Sequence, residues 1–477
     1  MDAMVRSGSD VTAPPARRWV ALVVLALAQL TIALDATVVN VALPSAQAAL
    51  GFPDVQRHWV ITAYTTAFGG MLLLGGRVSD QLGRRRAFLV GLAGFGLASG
   101  LGALAPDLAV LAVARGLQGV FAALLAPTVL ALLSVSFPDP RGRGRAFAVF
   151  GAVAGGGGAI GLVLGGLLAE TVGWRGCLFV NVPIVGVTAL GARYLPRAGG
   201  DTAGRRWDVP GALLVTTALV SVVAACSGAV PTAWAVGLLV VGGVLLAAFV
   251  RRESRAPAPL LPLRILADRV LVGACLTVAL AVAGLLGAFL VLTYVLQVVL
   301  GFSPLDTGLA FLPLSAALFA SAQVVGRVMA RVAARVLVVP GLLVAAAGML
   351  LLTRLTAQST FLTDVLPAEL LLGLGTGAVF TPVISLATAR SPRQDVGVTA
   401  AVVSTAQQLG ASIGVAVLNA VAAVATAVAT TAAGPPTVDA LVAGYTTAVG
   451  VAAGALVVAA VLAALLITTG RPTASAR

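Results

Sequence analysis

Residues 59–105 read WVITAYTTAFGGMLLLGGRVSDQLGRRRAFLVGLAGFGLASGLGALA. Two apolar runs, 59–77 and 87–105, flank a short segment carrying Arg77, Asp80, Arg84, Arg85 and Arg86. About 20 apolar residues are needed to carry a helix across the hydrocarbon core. The stretch therefore reads as a helix, a tight charged loop and a second helix returning across a membrane. The same alternation recurs along all 477 residues, of which 59% are hydrophobic and 10% charged. A soluble domain carries about 25% charged residues. Fourteen runs qualify as spans, near 19–43, 59–77, 87–105, 109–135, 146–169, 177–195, 209–229, 232–250, 270–299, 305–326, 336–355, 364–389, 397–428 and 441–469. The expectation is an all-α membrane protein with fourteen transmembrane helices.

The net charge is +13, and every basic residue is arginine. The charges sit in short clusters between apolar runs, which argues against a nucleic-acid partner and for cytoplasmic loops. With the N-terminus placed inside, 26 of the 30 arginines fall in cytoplasmic segments. Arg57, Arg175 and Arg354 fall at outer ends, and Arg115 lies within a span. This bias predicts a multi-pass protein of the cell membrane with both termini cytoplasmic. Cys177, Cys226 and Cys275 are widely spaced and His58 is the single histidine. No metal site, disulfide framework or cofactor is expected. No nucleotide-binding loop and no nucleophile–base set is visible, so an enzyme is not expected.

Gly76-Arg77-Val78 after the second run returns as Gly326-Arg327-Val328 after the tenth, 250 residues on. The repeat fits two equivalent six-helix halves, one known transporter plan. Runs seven and eight are then an inserted pair. The expected division is a tail 1–18, a first six-helix bundle 19–195, an inserted pair with its loops 196–269, a second bundle 270–469 and a tail 470–477.

Several motifs resemble the major facilitator superfamily, specifically its fourteen-span drug:proton antiporters. Leu34-Asp35-Ala36-Thr37-Val38-Val39-Asn40 to Pro44 looks like the family's first-helix signature. Gly76, Asp80, Gly83, Arg84 and Arg85 resemble its loop motif. Arg115-Gly116-Leu117-Gln118-Gly119 resembles its Arg-x-x-Gln-Gly pattern. Trp174-Arg175, Asn181-Val182-Pro183, Tyr294, Gln297 and Gln407-Gln408-Leu409-Gly410 are also similar. The resemblance implies the major facilitator fold, alternating access and proton-driven efflux of drugs, antibiotics or other small amphipathic compounds. The partners implied are a small-molecule substrate, protons and the lipid bilayer, with the chain a monomer. Metabolite uptake, facilitated diffusion or a non-transporting receptor are the alternatives. One departure stands in the fifth run, where Leu162 takes the place of the family's proline.

Asp35 is the foremost candidate, because a carboxylate within a span is costly unless paired, hydrated or protonated, and can carry a proton. Arg115 is its expected partner. Asp35 lies nine residues before Pro44 and Arg115 six residues into the fourth run, which gives depths of about 13 and 9 Å at about 1.5 Å per residue. Gln118 shares the face of Arg115 at i+3. Asn40, Tyr294, Gln297 and Glu369 join these three as expected cavity residues. Gly76, Arg77, Asp80, Gly83, Arg84 and Arg85 form an expected conformational latch. Gly157, Gly161, Gly165 and Gly166 are expected packing glycines, at a spacing that lets another helix approach closely and suits one half rocking against the other.

Overall fold

The computed structural model describes residues 15–137, 139–196, 209–226, 230–256, 263–329, 331–389, 396–433 and 438–467. Helix is the dictated outcome, since in lipid every backbone N–H and C=O must be satisfied within its own segment. The helices are α1 (Pro15–Leu50), α2 (Trp59–Leu82), α3 (Arg84–Ala103), α4 (Leu108–Ser136), α5 (Pro140–Thr171), α6 (Trp174–Phe179), α7 (Asn181–Gly191) and α8 (Val209–Cys226). They continue with α9 (Thr232–Glu253), α10 (Arg269–Tyr294), α11 (Pro304–Ala310), α12 (Leu312–Val328), α13 (Ala334–Leu352), α14 (Leu366–Ala389), α15 (Val396–Ala433) and α16 (Val438–Leu466). Asp107, Asp139 and Asp268 each accept a backbone N–H at the start of α4, α5 and α10. Gly83 (φ 81°) makes the turn between α2 and α3.

Twelve helical segments among the described residues are long and apolar enough to cross a membrane. Outside that set stand α2, with 24 residues, and the shorter apolar stretch Leu213–Cys226 of α8. Three features differ from the sequence reading. The first helix does not stop at Pro44 but continues to Leu50, so Asp35 lies deeper than expected. The sixth run is broken at Val180 into α6 and α7. The fifth is one unbroken helix through Leu162, whose backbone N–H is available to the helix where proline's would not be.

Two sets of helices pack internally. In the first, α2 lies on α4, α1 on α5, and α3 on α4 and α7; in the second, α12 and α13 lie on α14, and α10 and α16 on α15. The sets share one internal geometry. A Cβ on Gly119 of α4 would meet Tyr64, Ala67 and Phe68 of α2, and one on Gly373 of α14 would meet Leu314, Ala317 and Leu318 of α12 at the same three atoms. Gly161 and Gly165 press on Leu34 and Val38 of α1 as Gly410 and Gly414 press on Ala279 and Ala283 of α10. Helix α8 packs on α9 and also on α2 and α15, with Gly70 against Thr216.

The glycine stripe, for which the sequence names no partner helix, packs mostly within one half. Gly157, Gly161 and Gly165 face Ala33, Leu34, Thr37 and Val38 of α1, inside the first set. Only Gly166 of the four crosses to the second set, against Pro304 and Leu305 of α11. The reciprocal contact is Gly308 of α11 on the backbone of Leu162 and Val163. The spacing marks a packed face but carries no information about which helix covers it.

At Gly410 a side chain would collide with the Ala279 backbone, which cannot yield as a side chain can. Gly410→Val is expected to cost at least about 1–3 kcal/mol and to lower the thermal midpoint of the purified protein. Gly116 has nothing within 4 Å of a built Cβ, so Gly116→Ala is expected to raise that midpoint, by up to about 1 kcal/mol of helix propensity.

Candidate functional site

Asp35 and Arg115 meet in the interior of the first helical set. Arg115 Nη1 lies 2.6 Å from Asp35 Oδ2, with side chains 2% and 0% exposed. Burial of a charge without a partner would be costly, and here each partner is satisfied further. Asp35 Oδ1 accepts from Gln118 Nε2 at 2.9 Å and from Asn181 Nδ2 at 2.7 Å. Gln118 donates its other amide hydrogen to Ser99 Oγ at 2.7 Å and accepts from Arg115 Nη1 at 2.8 Å. Arg115 Nε donates to the carbonyl of Val60 at 2.9 Å, and its guanidinium lies over the ring of Tyr64 at 4.6 Å. The network thus ties α1, α2, α3, α4 and α7 together. Two buried polar atoms on its border, Asn181 Oδ1 and the Tyr64 hydroxyl, have no partner.

The other expected cavity residues do not join this network. Tyr294 donates its hydroxyl to Gln47 Oε1, and Gln297 Nε2 donates to the Val41 carbonyl at 2.9 Å. Both link α10 and the turn after it to the end of α1. Asn40 is buried with its Oδ1 unpartnered. Glu369 is fully buried in α14 and neither carboxyl oxygen has a partner. In the expected latch, Gly76 lies within α2 and Gly83 makes the α2–α3 turn, while the side chains of Arg77 and Asp80 lie outside the described residues.

A second polar cluster centres on Arg57, a residue sequence reasoning set aside as an outer-end exception. It is 2% exposed, because residues of the second helical set close over it. Arg57 Nε donates to Asn419 Oδ1 of α15 at 2.5 Å. Its guanidinium lies over Tyr294 at 3.9 Å and over Tyr445 of α16 at 5.6 Å. Asp54 Oδ1 stands 3.8 Å away, and Asn419 Nδ2 donates to the Asp54 carbonyl at 2.9 Å. Further along the seam Thr66 pairs with Ser412, and Thr405 donates to the Gly69 carbonyl at 3.2 Å. The two sets are therefore sealed against each other at the end that holds Arg57.

The chain and its fold have counterparts among known proteins. Residues 25–415 match the family model of the Major Facilitator Superfamily. The chain belongs to this superfamily. It is a membrane transporter and not an enzyme. A puromycin resistance protein of Streptomyces alboniger is 51% identical over 446 residues, 91% of this chain and 88% of that one. A cephamycin export protein of Amycolatopsis lactamdurans is 39% identical, over 83% of this chain and 84% of that one. A multidrug efflux pump of Mycolicibacterium smegmatis is 34% identical, over 88% and 84%. The crystal structure of a bacterial homologue of the human lysosomal transporter Spinster superposes with a TM-score of 0.70 at 16% identity, covering 97% of this chain and 100% of that one. That likeness is one of fold.

For this major facilitator chain, sequence reasoning named Asp35, Arg115 and Gln118 but not Ser99 among the site residues. Asn181 entered only through its motif. The signal for Asn181 was an amide side chain inside an apolar run. Ser99 gave none, since serine is common in such helices.

His58, beside Arg57, is buried at the entry to α2, with Nδ1 donating to the Val55 carbonyl at 2.8 Å. Burial pushes its imidazole down to about 4. The ring is therefore neutral across the range in which histidine usually senses pH. The unfolded chain takes up a proton below about 6.5 while the folded one resists it to about 4. Stability is thus expected to fall as pH drops through that window. A His58→Gln variant is expected to lose this limb of the unfolding profile measured against pH. Arg115→Ala leaves Asp35 buried and unpaired and is expected to cost about 3–5 kcal/mol, read as a lowered thermal midpoint.

Proposed function

We propose that the chain is a fourteen-span, proton-coupled exporter of small amphipathic molecules, antibiotics among them, and that Asp35 is its coupling carboxylate. The observation that carries this reading is the buried Asp35–Arg115–Gln118–Asn181 network. A carboxylate in a membrane interior is rare and is a functional site by default. Here it is held by two amide donors and a guanidinium. Protonation of Asp35 removes its attraction for Arg115. The arginine keeps Gln118 Oε1, the Val60 carbonyl and the Tyr64 face as partners. The network thus has a neutral-acid arrangement available without leaving the guanidinium stranded, and it joins the five helices that must move together.

The Arg57 end is the extracellular end in this reading, with both termini in the cytoplasm of a bacterial cell. Residues 19–195 and 270–469 act as the two moving bundles, and 196–269 as the inserted pair, docked through α8 on α2 and α15. The Arg57 cluster is the bolt of the outward-closed state. The α2–α3 loop, with Asp80 and Arg84 or Arg85, is the latch of the opposite state. The monomer is the working unit.

The names of the relatives support efflux as the direction, and the puromycin resistance protein supports puromycin as the first compound to try. The decisive experiment is puromycin transport in everted vesicles under an imposed pH gradient. Wild type is expected to accumulate the compound against its gradient, and Asp35→Asn to lose accumulation while still binding. An Asp35→Asn protein that still accumulates puromycin at the expense of the proton gradient sinks the coupling role. Arg57→Ala is expected to shift the carrier towards an outward-open state, seen as faster labelling of a cysteine placed at Thr66 by a membrane-impermeant thiol reagent in whole cells.

A further inference from the structure

The two helical sets align residue for residue through their glycine contacts. The match of Gly119 with Gly373 sets α4 on α14 at a constant step of 254 residues. Gly91 and Gly341, packed on Leu125 and on Val379, set α3 on α13 at 250 and repeat the step of 254. Leu34 and Ala279 set α1 on α10 at 245. Three positions of the Asp35 network then have apolar counterparts. Asp35 corresponds to Leu280, Gln118 to Leu372 and Ser99 to Met349. Leu372 and Met349 are fully buried, and Leu280 packs on the same core. Arg115 alone corresponds to a charged type, and it is Glu369.

The second set thus carries an ionisable group at the arginine position, with apolar side chains where the acid, the amide and the hydroxyl stand in the first. Glu369 is fully buried and both its oxygens are unpartnered. Helices α10, α12, α13 and α15 pack on α14. Their titratable or charged groups among the described residues are Arg269, Cys275 and Tyr294 on α10, Arg327 on α12 and Arg335 on α13, with none on α15. The three arginines stand at the opposite ends of their helices, and Tyr294 is engaged by Gln47 and Arg57. Before the start of α14, Arg354 is exposed, and the half-buried Asp364 is taken up by the Thr360 N–H and the Thr363 hydroxyl. Glu369 is thus enclosed without a charged partner among the described residues. An unpaired carboxylate in such a place is unstable, and the group keeps a proton instead. The turn that leads into it, Phe361–Val365, is a π-helix, a form that concentrates at functional sites.

We propose that Glu369 is a second proton-binding site, seated in the second helical set where Arg115 stands in the first, and that it exchanges a proton in each transport cycle separately from Asp35. This rests on the proton-coupled reading above. The carboxyl O–H holds the proton while the group is enclosed. On hydration it passes to water and the carboxylate forms, and re-enclosure requires a proton to return. An acid that must be neutral to be buried couples its own protonation to closure.

The test is infrared spectroscopy of wild type, Glu369→Gln, Glu369→Met and Asp35→Asn, each in lipid at neutral pH. Methionine fills the apolar shell at similar volume, which keeps the test open if glutamine misfolds. The expected result is a protonated carboxyl C=O band present in wild type and in Asp35→Asn, and absent from both Glu369 variants. On transfer to D2O the band is expected to shift, faster with puromycin present. Carboxylate bands in its place, or a carboxyl band that never shifts in D2O, overturn the proposal. In proteoliposomes the Glu369 variants are expected to move fewer protons per puromycin than wild type; an unchanged ratio also overturns it. Loss of coupling in Asp35→Asn alone would uphold the function and remove this second site. A shifting Glu369 band with full coupling in Asp35→Asn would do the reverse.

Discussion

A charge inside a membrane protein has to find its counter-charge within the fold, and the Asp35–Arg115 pair organises the first helical set on that constraint. The guanidinium reaches the carboxylate, the Gln118 amide and the Val60 carbonyl together, and the carboxylate draws in Asn181. Each polar group on these helices is placed by the need of another. The glycines at 119, 161 and 165 make this possible, because they bring α4 onto α2 and α5 onto α1 closely enough to bury the pair. The strength of the pair and the closeness of the packing are therefore one property: in a drier site the same two charges attract more strongly.

The second set shows what the same scaffold becomes without that constraint. Leucine and methionine fill the places of the acid, the amide and the hydroxyl. The helix contacts are nevertheless repeated, atom for atom at Gly373 and against the equivalent residue at Gly410. Backbone packing and polar chemistry have separated in this chain. The shape common to both halves is written in small residues, and the paired-charge network is written in one half.

Much of this is legible in the sequence. Hydropathy and arginine placement give the helical membrane class, and Asp35 and Arg115 stand out as charges where charges are costly. Their pairing was inferred from depth, yet with the end of α1 placed at Pro44. Proline does not stop a helix there, since a buried helix can leave one carbonyl without its usual donor. The cavity set was less legible. Tyr294 and Gln297 belong to the seam with α1, and Arg57, an arginine in a loop, is buried because residues from α10, α15 and α16 close over it. Contacts between segments nearly 400 residues apart leave no periodicity to read. The glycine stripe reveals a close approach but not the approaching helix.

The contact between α5 and α11 is made by backbone on both sides, Gly166 against Pro304 and Leu305, and Gly308 against Leu162 and Val163. A bearing surface of this kind is indifferent to side-chain identity elsewhere along the seam. Side chains elsewhere on that seam can change and leave this contact untouched. How α5 and α11 meet is thus set by two glycines and the main chain they touch, and hardly at all by the apolar side chains around them.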